Sequence, residues 1–388
     1  MKPRRILIFS LSYFPRFVGG AEVAVKEITD RIPASEASFD MITLGDRSSP
    51  KDEMLGNVRV HRVLRGNGWP QKLAFPFIAY LKALKLQREE AFDSIWSIMA
   101  SYGGFAAFLL KRRYPRLPNV LTIQEGDNFA RRNGIFHTPY TWIFKSADRV
   151  QAISKYLADW SRGMGAICPI EVVPNAVDLG IFSRAVDSDE KEQLEEKLCR
   201  KEGDIFLITT SRLVAKNAVD DIISALQYLP KNVKLLILGM GPLETELKCQ
   251  CLRLGMNYTD EPPVNPGNRV HFLGYIPHKD MPPYLAISSV FVRPAISEGL
   301  GNSFLEAMAA GVPVVGTPVG GIPDFLIDCE TGLFCEAKNP RSIAQKAEKY
   351  LKDAESHDYI VKKARAMVKD KYQWDKITRA MEKILLAR

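Results

Sequence analysis

Short apolar runs alternate with longer amphipathic stretches along most of this chain. Runs at 6–11, 39–44, 58–63, 94–98, 120–123 and 150–153 are dominated by Ile, Val, Leu and Phe. Their length is that of strands, and a near-continuous apolar run suits a strand buried on both faces. Between them, apolar residues recur at helical spacing over 21–31, 73–90, 103–113 and 155–162. The second half repeats the style. It predicts strands at 205–210, 234–238, 269–272, 290–293, 312–316 and 332–335, and helices at 218–228, 242–254, 280–286, 303–310, 341–352 and 357–369.

Strands that alternate with helices argue for parallel sheets covered on both faces. Two such series in 388 residues predict an α/β protein of two Rossmann-like domains. The boundary falls within 180–203 and is drawn after residue 182, giving domains of 1–182 and 183–372. The stretch 187–192 is charged and starts without a core pattern, and a short surface helix is expected at 194–198. The Pro-, Asn- and Gly-rich stretch 257–268 reads as an exposed loop. The amphipathic segment 374–386 lies beyond the last helix of the second domain, and residues 373–388 are assigned as a crossover helix joining the first.

No apolar run approaches the ~18 residues of a membrane span. The N-terminus begins like a signal peptide, but its apolar run is short and Ser10, Ser12, Tyr13, Pro15 and Arg16 follow at once, so it reads as a buried first strand. The six cysteines show no zinc spacing, and Cys249 and Cys251 share one expected helix; reduced thiols and a cytoplasmic location follow. Charge is unevenly spread. Residues 1–180 hold 25 Lys and Arg against 17 Asp and Glu, a net of +8, whereas the remainder holds 28 of each. Lys72, Lys82, Lys85 and Arg88, then Lys111, Arg112, Arg113 and Arg116, then Arg131 and Arg132 form clusters. An anionic membrane surface or a phosphorylated acceptor fits that half; a nucleic acid fits less well, since no binding motif accompanies the charge. An ordinary solvated surface is the other reading. Residues 73–86 are apolar with basic punctuation, either a segment lying on an anionic membrane or a core helix with surface lysines.

The richest chemistry lies at 297–315. Glu298 and Glu306 stand eight positions apart, with Gly299 and Gly301 between them. Glycines let backbone N–H groups approach a bound group closely. Asn302 or Ser303 is positioned to cap a helix whose Phe304, Leu305 and Met308 face inward. A helix N-terminus favours anions. Glu298 is then expected at the mouth of an anion site, and Glu306, about one turn in, on its wall. One acid near a reacting group, one acid able to accept two hydroxyl hydrogen bonds, and amides for a phosphate describe a sugar-nucleotide pocket. Upstream, Arg212 and Lys216 are four apart at a strand-to-helix turn, where both can point at diphosphate oxygens. The plain alternatives are a surface helix face for Arg212 and Lys216, a helix-dipole carboxylate for Glu298 and a solvent-facing charge for Glu306.

These residues resemble retaining glycosyltransferases of family four (glycosyl transferases group 1), whose GT-B fold sets two Rossmann-like domains with parallel sheets facing across a cleft. The likeness runs nearly end to end and is strongest from about 170 to 335. The Glu-x7-Glu pattern with its sequel Ala307-Met308-Ala309-Ala310-Gly311-Val312-Pro313-Val314 is the most specific part. Ser211-Arg212-Leu213-Val214-Ala215-Lys216-Asn217 resembles the family's Gly-Arg-Leu…Lys-Gly segment. Val173-Pro174-Asn175-Ala176-Val177-Asp178 resembles its Pro-Asn-Gly-Val-Asp, and Gly19-Gly20-Ala21-Glu22 its glycine turn after the first strand.

The resemblance implies transfer of a hexose, with retention, from a nucleoside diphosphate sugar to a lipid-linked, polysaccharide or other hydroxyl acceptor, in cell-envelope polysaccharide synthesis, at the cytoplasm or the inner membrane face. It implies catalytic roles for Glu298, Arg212 and Lys216. Donor binding falls on these three with Gly19, Gly20, Gly299, Leu300, Gly301, Asn302, Ser303 and Glu306, in which Glu298 contacts the transferred sugar and Glu306 the ribose. Gly20 would meet the diphosphate on domain closure, and base recognition is expected near 272–275. No cofactor or metal is expected: Arg212 and Lys216 supply positive charge, and the chain has no convincing Asp-x-Asp or His cluster. The departure follows the strand at 120–123, where many relatives carry a His that contacts the sugar. Here stand Gln124-Glu125-Gly126-Asp127, which places Gln124 and Glu125 on the acceptor side; His137 is a further candidate. Two other readings stay open. One is a catalytically silent subunit that binds sugar nucleotides. The other is an NAD-dependent oxidoreductase, suggested by Gly239-Met240-Gly241 but lacking a third glycine, since position 244 is Glu.

Overall fold

The computed structural model describes residues 2–15, 19–66, 68–126, 137–260 and 267–387. Contacts divide the chain into two compact units, Met1–Ala176 with Trp374–Arg388, and Val177–Gln373.

The first unit runs β1 (Arg4–Phe9), α1 (Gly20–Arg31), β2 (Ala37–Gly45), β3 (Asp52–Leu55), β4 (Val58–Arg65), α2 (Trp69–Glu89), β5 (Ser94–Ile98), α3 (Tyr102–Arg113), β6 (Asn119–Ile123), α4 (His137–Ser146), β7 (Arg149–Ala152), α5 (Lys155–Gly163) and β8 (Ile170–Val172). The sheet order is β3-β4-β2-β1-β5-β6-β7-β8, and every pairing is parallel except β3 with β4. β1 lies at the centre, with Ile8 opposite Met41 on one side and Trp96 on the other. Ile6, Ile8, Phe39, Met41 and Trp96 pack with α1 on one face, whereas Leu7, Phe9, Ile42, Leu44 and Ile95 meet α2 and α3 on the other. A strand covered on both sides must be apolar at consecutive positions, which is why β1 reads Ile-Leu-Ile-Phe.

The second unit runs α6 (Leu179–Phe182), α7 (Ser188–Lys197), β9 (Ile205–Thr210), α8 (Val219–Ala225), β10 (Val233–Leu238), α9 (Glu244–Arg253), β11 (Tyr258–Thr259), β12 (Val270–Phe272), α10 (Pro282–Ala286), β13 (Val290–Arg293), α11 (Asn302–Ala310), β14 (Val314–Gly316), β15 (Leu333–Phe334), α12 (Pro340–Lys352) and α13 (Ala354–Lys371). Its seven strands are ordered β11-β12-β10-β9-β13-β14-β15 and all are parallel. The last helix, α14 (Trp374–Leu385), belongs to the first unit, where Trp374, Ile377, Met381, Ile384 and Leu385 are buried with α1 residues. The chain leaves the first unit and returns to it side by side: the Val177 N–H donates to the Tyr372 carbonyl at 2.9 Å.

Several elements escape the sequence pattern. β3 and β11 are short and partly polar, and β8 is a three-residue edge strand. Helix α7 starts at Ser188, capped by Asp187, so the charged stretch at 187–192 is mostly helical. It lacked a core signature because Leu194 alone is buried on it. Within the expected loop at 257–268, Tyr258 and Thr259 pair with Val270 and His271, and 261–266 lie outside the described residues. Arg131, Arg132 and Asp127 also lie outside them, as does the side chain of His137. No described helix is long and apolar enough to cross a membrane.

Candidate active site

In an open parallel sheet, the crevice for a ligand opens beyond the carboxyl ends of the two strands where the order reverses. In the second unit those strands are β9 and β13, neighbours through Leu207 with Val290 and Ile208 with Phe291. The Arg212–Lys216 segment leaves β9 and the Glu298 loop leaves β13, so the topology brings the two motifs together.

After β9 the chain forms a 3-10 turn at Ala215–Asn217, then Ala218 adopts a left-handed conformation (φ 50°) before α8 begins. Leu213 is fully buried and anchors the turn. Arg212 is exposed and Lys216 half-buried. The Asn217 side-chain amide donates to the Arg212 carbonyl at 2.7 Å and fixes the loop's curvature. The Ile296 N–H donates to the Lys216 carbonyl at 2.8 Å, which joins this loop to the next.

The centre of the site is a residue that sequence reasoning passed over. Arg293, the last residue of β13, donates through Nη1 to Ser303 Oγ at 2.6 Å and through Nη2 to Asn217 Oδ1 at 3.0 Å. The same Nη2 forms an ion pair with Glu298 Oε2. One guanidinium thereby clamps the turn after β9, the loop after β13 and the first turn of α11. A cation ending the run Val290-Phe291-Val292, directly before Pro294, was the available signal: an apolar buried strand ends in charge where it meets polar partners.

Glu298 differs from its expected pose at the mouth of the site. Its carboxylate folds back on its own loop, one oxygen on Arg293 and the other accepting from the Gly299 N–H at 3.0 Å. That amide, expected to hold a ligand, is therefore engaged by Glu298. Helix α11 begins at Asn302 with Gly301 (φ 105°) as its N-cap, and no side chain caps it. Neither Asn302 nor Ser303 is the cap: Asn302 is already helical and Ser303 is held by Arg293. Gly301 is required, because a Cβ there would sit 2.9 Å from the Phe304 ring. Gly299, Leu300 and Gly301 are buried, whereas Asn302 and Ser303 are half-buried. An uncapped N-terminus leaves first-turn amides for an anionic ligand.

Glu306 lies one turn into α11, half-buried, with Oε1 4.0 Å from His278 Nε2. Burial pushes its carboxyl above the ordinary value, and His278 and Arg293 pull part of that back. His278 comes from a short turn after β12 and was not anticipated. Gly320 was missed as well. Its φ is 57°, and a Cβ there would fall 1.8 Å from the Glu298 carbonyl oxygen. The 272–275 segment follows β12 at the same end of the sheet, with the Leu273 N–H donating to the Ile237 carbonyl and the Gly239 N–H to the Gly274 carbonyl.

Gly239 and Gly241 have a packing role rather than that of a dinucleotide turn. A Cβ on Gly239 would lie 1.9 Å from the Ser211 carbonyl oxygen, and one on Gly241 would lie 2.3 Å from that of Leu213. The loop after β10 thus runs against the Arg212 loop, and the glycines permit that crossing.

In the first unit, the strand order reverses between β1 and β5. Gly19 precedes α1 and Gly20 is its first residue, both exposed; the Gly19 N–H is held by Glu22 Oε2 at 3.0 Å. Residues 16–18 of that loop lie outside the described ones. Beyond β6, Gln124 is half-buried and its Oε1 accepts from Asn175 Nδ2 at 3.1 Å. Glu125, expected on the acceptor side, is turned into the protein. That residue is 5% exposed, and its carboxylate accepts the N–H groups of Ala100 at 2.6 Å and Gln124 at 3.1 Å. It turns inward because the loop after β5, where Met99 has φ 66°, leaves an amide that needs an acceptor.

The family model for glycosyl transferases group 1 matches residues 190–367, and that for glycosyltransferase family 4 matches 18–180. An uncharacterized glycosyltransferase of Methanocaldococcus jannaschii is 25% identical over 97% of this chain and 96% of its own. The GDP-mannose-dependent monoacylated alpha-(1-6)-phosphatidylinositol monomannoside mannosyltransferase of Corynebacterium glutamicum is 25% identical over 98% of both chains. The crystal structure of Anabaena HepE in complex with UDP and glucose superimposes with a TM-score of 0.81 at 18% identity, covering 99% of this chain and all of that one. With two doubly wound units, a Glu-x7-Glu helix at the switch point and both family models in order along it, the chain belongs to the GT-B glycosyltransferases of family four, group 1.

Proposed function

We propose that the protein transfers a hexose from a nucleoside diphosphate sugar to a hydroxyl acceptor with retention of configuration and without a metal ion. One observation carries the reading: Arg293 gathers the loops of Lys216, Glu298 and Ser303 at an uncapped helix N-terminus. Arg212, Lys216 and the α11 amides supply positive potential for a diphosphate, where charge develops as the glycosidic bond breaks. Glu306 is placed to accept ribose hydroxyls. Glu298, released from the Gly299 amide, contacts the sugar while Arg293 holds its other oxygen.

In the reaction, the bond from the anomeric carbon to the β-phosphate oxygen breaks as the acceptor oxygen attacks from the same face. The acceptor proton passes to the departing phosphate, so no protein nucleophile is needed. Gln124, whose Oε1 is occupied by Asn175, retains its side-chain N–H groups for an acceptor oxygen. The donor's base is a purine or a pyrimidine, in keeping with relatives that differ: GDP-mannose for the corynebacterial enzyme, UDP and glucose in the Anabaena structure.

Titration calorimetry against uridine, guanosine and adenosine diphosphate sugars tests the reading. One of them should bind, and Lys216→Ala and Glu306→Ala should each weaken it at least a hundredfold. If both variants bind that donor like the parent, the pocket is wrongly placed. Slow donor hydrolysis without acceptor separates an active transferase from a silent subunit, and the anomeric proton coupling of the product reports retention.

A further inference from the structure

Helix α2 has two apolar faces. Phe75, Ala79, Ala83 and Leu86 are buried towards the sheet. On the outside, Trp69, Leu73, Phe77 and Leu81 follow at strict four-residue spacing and are 73%, 55%, 56% and 62% exposed. The strip continues sideways. The Phe77 ring meets Phe105 of α3 at 6.0 Å, Phe105 meets Phe108 at 5.7 Å, and Phe108 stacks on the exposed Trp142 of α4 at 5.9 Å. Contiguous apolar surface of this kind is uncommon unless something covers it.

The charge around it is one-sided. Helix α2 carries Lys72, Lys82, Lys85 and Arg88 against a single acid, Glu89, while α3 carries Lys111, Arg112 and Arg113 and α4 carries Lys145, with no acid on either. Lys82 and Lys111 pair inward with Asp52 and Asp148. Lys85, Arg88, Arg112, Arg113 and Lys145 are exposed. Two shallow hollows combine the chemistries. Leu81, Leu84, Lys85 and Arg88 line one with Glu89, and Phe108, Trp142, Arg112 and Lys145 line the other with Ser146.

We propose that this α2–α3–α4 face docks the protein on an anionic lipid bilayer. Phe77 and Leu81 enter the acyl boundary, Trp69 and Trp142 sit at headgroup level, and the cations contact lipid phosphates. A second copy of the chain fits poorly, because a two-fold contact would set like-charged rims against each other. The inference does not depend on the donor site.

Flotation of the whole protein with vesicles tests it. At 0.1 M salt, vesicles of phosphatidylcholine with 30% phosphatidylglycerol should bind it at least tenfold more strongly than phosphatidylcholine alone. Lys85→Glu with Arg88→Glu should abolish that preference, and Phe77→Ser with Leu81→Ser should weaken binding to anionic vesicles at least tenfold. All four side chains are exposed, and thermal melting confirms folding. No binding by the parent, or unchanged binding by both folded double variants, overturns the proposal. So does sedimentation as a dimer that Phe77→Ser with Leu81→Ser dissociates, which would make the face a self-contact.

Discussion

Replacing Arg293 by Met removes the guanidinium shared by Glu298, Ser303 and Asn217 while keeping most of the side-chain volume. The side chains of Arg293 and Glu298 are 11% and 12% exposed, so the carboxylate left behind is largely shielded from water. Removing one partner of a buried pair costs about 3–5 kcal/mol. Partial exposure lets water solvate Glu298, which favours the lower figure, about 3 kcal/mol. For a unit of this size that lowers the melting temperature by about 6–12 °C. The sugar-nucleotide Kd should rise at least tenfold, about 1.4 kcal/mol, because the loops bearing Lys216 and Glu298 lose their common tie. Arg293→Lys keeps the charge without the fork and should fall between. A double-mutant cycle with Glu298→Gln isolates the contact: the double variant should cost at least about 1 kcal/mol less than the sum of the singles. Calorimetric melting and donor titration measure both quantities. Additive effects, or a melting temperature and Kd within error of the parent, would refute the clamp.

Gly320→Ala should destabilise the second unit by more than about 2 kcal/mol and impair donor binding, since its Cβ would overlap the Glu298 carbonyl. Gly255→Ala, also left-handed (φ 67°) but facing open space, should cost about 1 kcal/mol and leave binding intact, and equal effects in denaturant titrations would contradict this. Glu125→Gln places an amide against backbone donors and should cost about 1–3 kcal/mol of stability with little change in acceptor KM; an intact melting curve with a raised KM would return Glu125 to the acceptor side. His271 is buried in β12 with neither ring nitrogen hydrogen-bonded, and burial beside Lys234 holds its pKa down at about 4 against an ordinary 6.5. Its contribution is therefore present above pH 6.5 and lost as pH falls through about 4, because the unfolded chain takes up a proton that the folded chain refuses; up to about 3 kcal/mol is involved. His271→Leu should flatten stability against pH between 7 and 4, and an unchanged slope would show that other groups set it.

Much of the fold was legible because burial on both faces forces consecutive apolar residues into each parallel strand, and helices between such strands need a single apolar stripe. Every strand expected from these runs is present, and Glu298 and Glu306 stand on a loop and helix as their spacing implied. The shorter elements were hidden where few side chains are buried, as on α7, or where edge strands lack a covered face, as in β8. The sequence also could not show which way a carboxylate turns. Glu125 in a polar loop reads as available chemistry, yet an orphan amide from the loop after β5, 25 positions away, draws it inward. Arg293 and Asn217 are 76 positions apart and meet because the strand order places β9 beside β13. Local pattern by itself determined the elements, their two-domain repetition and the loop and helix positions of Glu298 and Glu306, since these depend on periodicity and spacing along the chain. The tertiary structure alone decided what holds those acids, because an ion pair or hydrogen bond needs proximity, and proximity across a parallel sheet is set by strand order rather than by sequence distance.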